Sequence, residues 1–111
     1  MSGRQVMDVN VNGVLFTAQA AGRQMVRFGN GGSIVLVASM SGSITNKVSH
    51  SFIRSVRRTD SDNLSPSQDH AWTSYNTSKS AVLQMARSMA CELGPKRIRV
   101  NSLSPGHIYT K

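Results

Sequence analysis

The sequence predicts an α/β fold in which a leading helix is followed by one β–α–β unit. Three observations support this prediction: a helical periodicity over residues 6–28, two short strand segments, of which 33–38 is an apolar run and 98–103 is the second strand, and a second helical pattern between them. Because the two strand segments are joined through a helix, the strands should be parallel, with a right-handed crossover.

The first helix is indicated by apolar and small residues that recur at steps of three to five, close to the helical period. These residues are Val6, Val9, Gly13, Phe16, Ala20 and Met25. The glycine-rich run 29–32 should end the helix, because glycine tolerates positive φ. This run precedes a strand instead of joining a strand to a helix, so we interpret it as a turn and not as a phosphate-binding loop.

The run SIVLVA at 33–38 is continuous and rich in β-branched residues. Such a run is typical of a strand that is buried on both faces, as in a parallel sheet. Regular patterning then disappears from 39 to 73, and the stretch 48–68 has few apolar residues. A structureless loop of this length is unusual inside a compact domain.

The second helix is predicted to begin with Thr73 or Ser74 as its N-cap and to end at Leu93, before Gly94 and Pro95. Its apolar stripe consists of Ala81, Val82, Met85, Ala86, Met89 and Ala90. The strand at 98–103 follows. Two strands rarely make a stable sheet alone, so the organisation indicates part of a larger α/β protein.

Composition excludes several classes of protein. The chain has 111 residues, 39% of them hydrophobic, and a single cysteine, which argues against wholesale disorder and against a disulfide scaffold. No apolar run approaches the length of about 18 residues that a membrane span requires, so we expect a cytoplasmic protein with no membrane partner. The net charge of +8 is spread along the chain without interleaved aromatic residues, so no specific nucleic-acid partner is expected.

The chemistry-bearing residues centre on Tyr75 and Lys79, which are four apart and share a helix face. An ammonium near a phenol favours the phenolate, and such a tyrosine can exchange a proton with a carbonyl or alcohol oxygen. The same spacing also occurs by chance on many helices. Ser39 follows the first strand and Pro105 follows the second, at the strand ends where open α/β sheets bind ligands.

Together these pieces resemble the short-chain dehydrogenase/reductase family. The matching segments, in the family's order, are NVNGV at 10–14, GSIV at 32–35 with SMSG at 39–42, YNTSK at 75–79, and IRVNS at 98–102 with PGHIYT at 105–110. Each segment alone is weak evidence for the resemblance, but four segments in the family's order are strong evidence. The resemblance implies a Rossmann-type, doubly wound parallel sheet, of which this chain would supply the catalytic part.

The resemblance also implies roles for four residues. Tyr75 would be the general acid/base that protonates the substrate carbonyl as hydride arrives, and Ser39 would hydrogen-bond the same oxygen. Lys79 would stabilise ionised Tyr75 and hold the hydroxyls of the nicotinamide ribose. Asn10 would hold a water that connects Lys79 to solvent. Two alternatives stay open, because Ser41 competes with Ser39 and Asn12 competes with Asn10.

For the cofactor, NAD or NADP, the resemblance implies contacts from the segment after the second strand. The predicted cofactor-binding residues are Tyr75, Lys79, Pro105, Gly106, Ile108 and Thr110. A metal site is not expected, because the three histidines (His50, His70 and His107) lack ligand spacing with Cys91.

Two departures from the family pattern matter for function, and the first is that two segments of the family are missing. The glycine-rich cofactor turn of the family's first strand is absent, and so is the segment that covers the substrate after Lys111. We therefore expect the activity of this chain to be impaired. An alternative is a non-catalytic fragment that pairs with full-length subunits through its two long helices.

The stretch 48–68 is the second departure, because it separates Ser39 from Tyr75 by more than the family usually shows. Val48 and Ser49 at its start can be encoded by codons that begin with GT and AG, and Gln68 at its end can be encoded by a codon that ends in AG. These are the bases found at the borders of a spliced intron. We interpret 48–68 as a disordered insertion, either a retained intron or a true lineage-specific insertion.

A finer resemblance is carried by HAW at 70–72 and by MARSMACELGP at 85–95. These segments look like fungal polyol and sugar reductases, which include mannitol, sorbose, arabinitol and xylulose enzymes. The subgroup implies a polyol or ketose substrate and favours NADP over NAD. The family also implies a homo-oligomer that forms through the two long helices.

Overall fold

The computed structural model describes residues 2–44 and 70–109, and its elements follow the predicted order. They are helix α1 (Gly3–Met7), a π-helical segment (Asp8–Gly13), helix α2 (Val14–Phe28), strand β1 (Gly32–Val37), a 3-10 turn (Met40–Gly42), helix α3 (His70–Leu93), a second 3-10 turn (Gly94–Lys96) and strand β2 (Ile98–Leu103). The proposed insertion 48–68 and the predicted cofactor contact Thr110 lie outside the described residues.

The two strands pair in parallel, as predicted. Gly32 lies opposite Ile98 at one end of the ladder and Val37 lies opposite Leu103 at the other. Helix α3 connects them, so the described part of the chain is a partial α/β fold with one β–α–β unit and a leading helix. No helix in this described part is long and apolar enough to cross a membrane.

The leading helix begins at Gly3 and not at residue 6, because a capping box precedes it. The Ser2 hydroxyl accepts a hydrogen bond from the Gln5 amide at 3.3 Å, and the Gln5 side chain accepts one from the Ser2 amide at 2.8 Å. Two N–H groups that the helix cannot pair are thereby satisfied. At the other end Gly29 adopts φ 72°, the left-handed conformation expected of the glycine-rich run.

A π-helical segment at Asp8–Gly13 interrupts the α-helical hydrogen bonding, which the periodicity did not predict. Each extra residue in a turn rotates the later side chains by about 100° around the helix axis. Val9, within this segment, and Phe16, after it, both belong to the predicted pattern and are both exposed. The inward positions of α2 are instead Ala18 and Gly22.

The buried core lies on one face of the sheet, where α2 and α3 pack. Ile34 and Leu36 of β1 point into it, together with Ile98 and Val100 of β2. The prediction that β1 is buried on both faces is wrong for this chain, because Val35 and Val37 are 57% and 56% exposed. The reason is that no described element packs on the second face.

Helix α3 begins at His70, three residues before the predicted N-cap, so Thr73 and Ser74 lie inside the helix and do not cap it. Packing of α1 against the start of α3 supports these first turns. The contact is close, since a Cβ placed on Gly3 would lie 2.5 Å from Ser74 Oγ. The predicted end at Leu93 is confirmed.

The predicted apolar stripe of α3 faces the sheet. Val82, Ala86 and Met89 are buried in the core, and the other members of the stripe are half-buried. Helix α3 is therefore held firmly from Val82 onward, and this packing fixes the position of the helix turn that carries the chemistry-bearing residues.

Candidate active site

The site lies at the carboxyl ends of the two strands, where hydrogen bonding continues beyond the ladder. The Ala38 amide donates to the Leu103 carbonyl at 2.8 Å, and the Met40 amide donates to the Pro105 carbonyl at 3.0 Å. These bonds hold the segment after β1 against the segment after β2. Ser39, which lies between the two donors, is thereby placed beside Pro105.

Ser39 begins the 3-10 turn as its N-cap. Its backbone is extended (φ −166°, ψ 155°), and its Oγ accepts a hydrogen bond from the Ser41 amide at 3.2 Å. A hydroxyl that accepts one bond still has its own proton to donate. Ser41 is also buried and also borders the cleft described below, so the structure brings both candidate serines to the site.

Gly42 allows the turn to lie directly on α3. A Cβ at this position would come within 2.8 Å of the carbonyl carbon and oxygen of Lys79, which are backbone atoms that cannot move aside independently. The contact is closed by a hydrogen bond of 2.6 Å from Ser80 Oγ to the Gly42 carbonyl. The SMSG motif therefore sets the distance between the serines and helix α3.

Tyr75 and Lys79 lie one turn apart on α3, as their spacing predicts. The Lys79 Nζ is 5.7 Å from the centroid of the Tyr75 ring, which is within cation–π range. The same Nζ donates a hydrogen bond of 3.1 Å to the carbonyl of Val37, the last residue of β1. The ammonium is thus fixed between the tyrosine and the end of the strand.

Asn10 is linked to the site by a hydrogen bond to a buried serine, Ser78. Its Nδ2 donates to Ser78 Oγ at 3.0 Å, and Ser78 Oγ donates to the Tyr75 carbonyl at 2.7 Å. Ser78 is completely buried. Asn12, the competing candidate, instead bonds Asp8 within its own helix at 3.0 Å, which favours Asn10 as the residue coupled to α3.

A cleft of about 440 Å³ opens at this edge. Four predicted site residues line it: Ser39, Tyr75, Pro105 and Gly106. Lys79 adjoins the cleft through its contact with the Tyr75 ring. Ile108 does not line the cleft and is 74% exposed, so the structure does not bring this predicted cofactor contact to the site.

Sequence reasoning missed four other lining residues: Val6, Met40, Trp72 and His107. A signal was present for three of them. Trp72 is three residues before Tyr75 and so shares its helix face, Met40 lies between the two candidate serines, and His107 directly follows the Pro-Gly pair. Val6 gave no such signal, because it enters the site through tertiary packing alone.

The described residues that line the cleft include no Asp, Glu, Lys or Arg. Across residues 2–44 and 70–109, no three His, Cys, Asp or Glu side chains come together as a metal site would need. The polar side chains that the described residues bring to this edge are the hydroxyls of Ser39, Ser41 and Tyr75 and the imidazole of His107, and the Lys79 ammonium adjoins them.

Two protein-family models together match almost the whole chain. Residues 2–52 match the short chain dehydrogenase family, and residues 60–111 match the related family described as enoyl-(acyl carrier protein) reductase. The first match ends and the second begins within the proposed insertion 48–68, and the two agree in order with the motifs. The chain therefore belongs to the short-chain dehydrogenase/reductase family.

Two curated relatives illustrate the similarity. A short chain dehydrogenase/reductase, notP', of Aspergillus versicolor is 41% identical over 96% of this chain and 31% of its own length. Sorbose reductase sou1 of Schizosaccharomyces pombe is 40% identical over 96% of this chain and 32% of its own length. The chain thus spans about a third of the length of the curated relatives it matches.

Solved structures agree with the fold. A short-chain type dehydrogenase/reductase from Mycobacterium marinum superposes with a TM-score of 0.70 at 42% identity, covering 95% of this chain and 34% of that one. A 4-hydroxyisoleucine dehydrogenase complexed with NADH gives a TM-score of 0.73 at 27% identity, covering 98% and 38%. The two strands and their helices therefore correspond to part of a Rossmann-like fold in these proteins.

Proposed function

We propose that this chain is the catalytic part of an oxidoreductase that interconverts a secondary alcohol and a ketone with a nicotinamide cofactor. The observation that carries the proposal is the meeting of three side chains at one cleft. The Ser39 and Tyr75 side chains border it, and the Lys79 ammonium lies 5.7 Å from the Tyr75 ring. This set contains a hydrogen-bond donor, an acid/base and a cation, which are the groups that carbonyl reduction needs.

In the direction of reduction, the Tyr75 hydroxyl donates its proton to the substrate oxygen. The Ser39 hydroxyl donates a hydrogen bond to the same oxygen and stabilises the negative charge that develops there. The Lys79 ammonium stabilises the phenolate that Tyr75 becomes. When bound, the nicotinamide supplies the hydride for reduction or accepts it in the reverse reaction.

The residues present fit the ribose end of such a cofactor. The Lys79 ammonium has three N–H donors, and the Val37 carbonyl accepts only one of them. The others are available for ribose hydroxyls, together with the Tyr75 hydroxyl. Either NAD or NADP is compatible with these groups, and resemblance to the polyol subgroup favours NADP.

We assign a sugar alcohol or ketose as the substrate. Sorbose reductase is among the relatives of this chain, and the described residues that line the cleft include no Asp, Glu, Lys or Arg that would select an ionised substrate. A neutral polyhydroxylated compound therefore suits the cleft.

A second candidate function is supported by the surface of α2 and the π segment. Val9, Phe16 and Phe28 are 58%, 63% and 72% exposed there. A fragment with these exposed apolar side chains would pair with another subunit through its helices, either as a homo-oligomer or with a full-length relative. Pairing that survives Tyr75→Phe but is lost in a Phe16→Ser variant would favour this candidate.

The insertion proposal has its own test, which is the sequence of the transcript across codons 48–68. A mature message that lacks these codons would establish a retained intron in the chain. A message that contains them would establish a lineage-specific insertion and would remove the intron proposal.

The proposed reaction is tested in a chimera in which residues 2–109 replace the matching third of sorbose reductase, here called the reductase chimera. We expect NAD(P)H-dependent reduction of L-sorbose, and we expect Tyr75→Phe to lower kcat by about 10²–10⁴-fold. Tyr109→Phe is the matched control, because Tyr109 is 91% exposed and does not line the cleft. Equal activity in Tyr75→Phe and its parent would remove the proposal.

The same assay applied to the 111-residue chain alone tests the expected impairment. We expect little or no reduction of L-sorbose by that chain, because it spans only about a third of its curated relatives. Measurable turnover would show that the impairment is absent.

A further inference from the structure

We infer that Trp72 determines specificity in this cleft, and that its indole face packs against the carbon chain of a polyhydroxylated ligand. This inference rests on the proposed function, because it concerns the substrate of the same site. It assigns a role to a residue outside the proposed catalytic set.

Trp72 is held directly beside the proposed acid/base. It lies one helical turn before Tyr75 on α3, and both side chains line the cleft. Their ring centroids are 6.2 Å apart with the ring planes at 87°, an edge-to-face contact. A ligand whose reacting oxygen meets the Tyr75 hydroxyl must therefore pass close to the indole.

The indole is largely uncovered. Trp72 is 60% exposed, although tryptophan is among the side chains that gain most from burial. An edge-to-face contact with one neighbour covers at most one of the two indole faces. Apolar area that the fold leaves in water is stabilised when a ligand covers it, so the exposed indole favours a ligand with an apolar surface at this point.

The rest of the cleft requires polar groups on the same ligand. A hydroxyl group comes from Ser39, and an imidazole comes from His107. A purely apolar ketone would give these two groups no hydrogen bond in place of the water that it excludes, which costs affinity. The ligand must therefore present hydroxyl groups to one side of the cleft and C–H groups to the indole.

A polyol or an open-chain ketose meets both requirements. Its C–H bonds lie on carbons that carry oxygen, so they are polarised toward positive charge and complement the negative face of the indole. The lining residues that the structure describes include no Asp, Glu, Lys or Arg, which fits a neutral ligand. A volume of about 440 Å³ is sufficient for a small molecule of this kind.

The test uses the complete 111-residue chain and the fluorescence of its single tryptophan, which is Trp72 itself. Excitation at the red edge of indole absorption avoids the two tyrosines. We expect a saturable change in emission on titration with L-sorbose or sorbitol, and no saturable change with propan-2-ol at equal concentrations. A linear response shared by all three compounds would overturn the inference.

Calorimetric titration of variants with L-sorbose then locates the contact. Trp72→Ala should weaken binding by about tenfold, and Trp72→Phe should weaken it by less than about threefold, because a phenyl ring keeps the aromatic face. Phe16→Ala is the matched control, since it removes an exposed aromatic ring from α2 outside the cleft, and it should leave binding unchanged. Equal affinities for Trp72→Ala and its parent would overturn the inference.

Failure of this inference is distinguishable from failure of the proposed function. If the reductase chimera reduces L-sorbose while the 111-residue chain gives no response in either titration, the inference fails and the reaction stands. If Trp72 responds and Trp72→Ala weakens binding, but the chimera reduces no ketone, the binding role stands and the proposed reaction fails.

Discussion

Asn10 and Ser78 are 68 residues apart in the chain and joined by a hydrogen bond of 3.0 Å from Asn10 Nδ2 to Ser78 Oγ. Asn10 lies in the π-helical segment, and Ser78 lies on α3 between Tyr75 and Lys79. Because Ser78 also donates to the Tyr75 carbonyl, this single hydroxyl couples the leading helix to the turn that carries both proposed catalytic residues. π-Helical turns often occur at functional sites, and here the turn directs a side chain toward the site.

Replacing Ser78 by alanine should destabilise the chain. The variant leaves the Asn10 amide without its acceptor in a site where Ser78 is completely buried. We expect a loss of about 1–3 kcal/mol in the free energy of unfolding, because an unpaired polar group loses solvation without compensation. Urea denaturation of the 111-residue chain measures it.

Ser88→Ala is the matched control for this variant. Ser88 lies on the same helix but is exposed, so it shares the change in helix propensity without the buried bond. We expect its effect to stay within about 0.5 kcal/mol. Equal destabilisation by the two variants would mean that the Asn10–Ser78 bond contributes nothing.

Gly42→Ala should displace the serine-bearing turn from α3. The added Cβ would meet the Lys79 backbone at 2.8 Å, so one of the two segments must shift. Overpacking of this kind costs about 1–3 kcal/mol. In the reductase chimera we expect a fall in kcat for L-sorbose as well, because Ser39 moves with the turn.

Gly94→Ala provides the comparison for Gly42→Ala. Nothing lies within 4 Å of a Cβ at Gly94, so the same substitution meets open space there. We expect little change in urea denaturation or in the activity of the chimera. If Gly42→Ala behaved like Gly94→Ala in both measurements, the close contact with α3 would not restrain the turn.

Local sequence patterns were sufficient for much of the fold. The β-branched run that becomes β1, the Gly-Pro stop after Leu93 and the strand β2 are all specified by residues within each segment. The parallel order follows from the helix between the strands. From this order alone, Ser39 and Pro105 could be placed at the same edge, and the hydrogen bond beside them confirms that placement.

Features that depend on distant contacts could not be predicted. The π segment aligns Asn10 with Ser78, and no periodicity within residues 6–28 encodes that partner. Thr73 and Ser74 have the chemistry of N-caps, but packing of α1 extends α3 past them to His70. Val6 enters the cleft for the same reason, since only the packed helices bring it there.

One-sided burial of β1 predicts a large contrast between neighbouring residues. Leu36 is 5% exposed in the core, whereas Val37 is 56% exposed on the opposite face. Leu36→Ala should cost about 2–5 kcal/mol through lost burial and a cavity. Val37→Ala should cost well under half as much in urea denaturation, and similar losses at both positions would show that the second face is also covered.

Lys79→Met separates a catalytic role of the ammonium from a structural one. The substitution keeps a long apolar side chain but removes the charge near Tyr75 and the bond to the Val37 carbonyl. That bond is exposed, so the free energy of unfolding should fall by no more than about 1 kcal/mol. In the reductase chimera we expect kcat/KM for L-sorbose to fall by about 10²-fold, because the phenolate of Tyr75 and the ribose hydroxyls lose their cation. Lys96→Met, at an exposed lysine beyond the end of α3, removes the same charge and should leave kcat/KM unchanged. A loss of stability without a loss of kcat/KM in Lys79→Met would show that the ammonium only ties α3 to the end of β1.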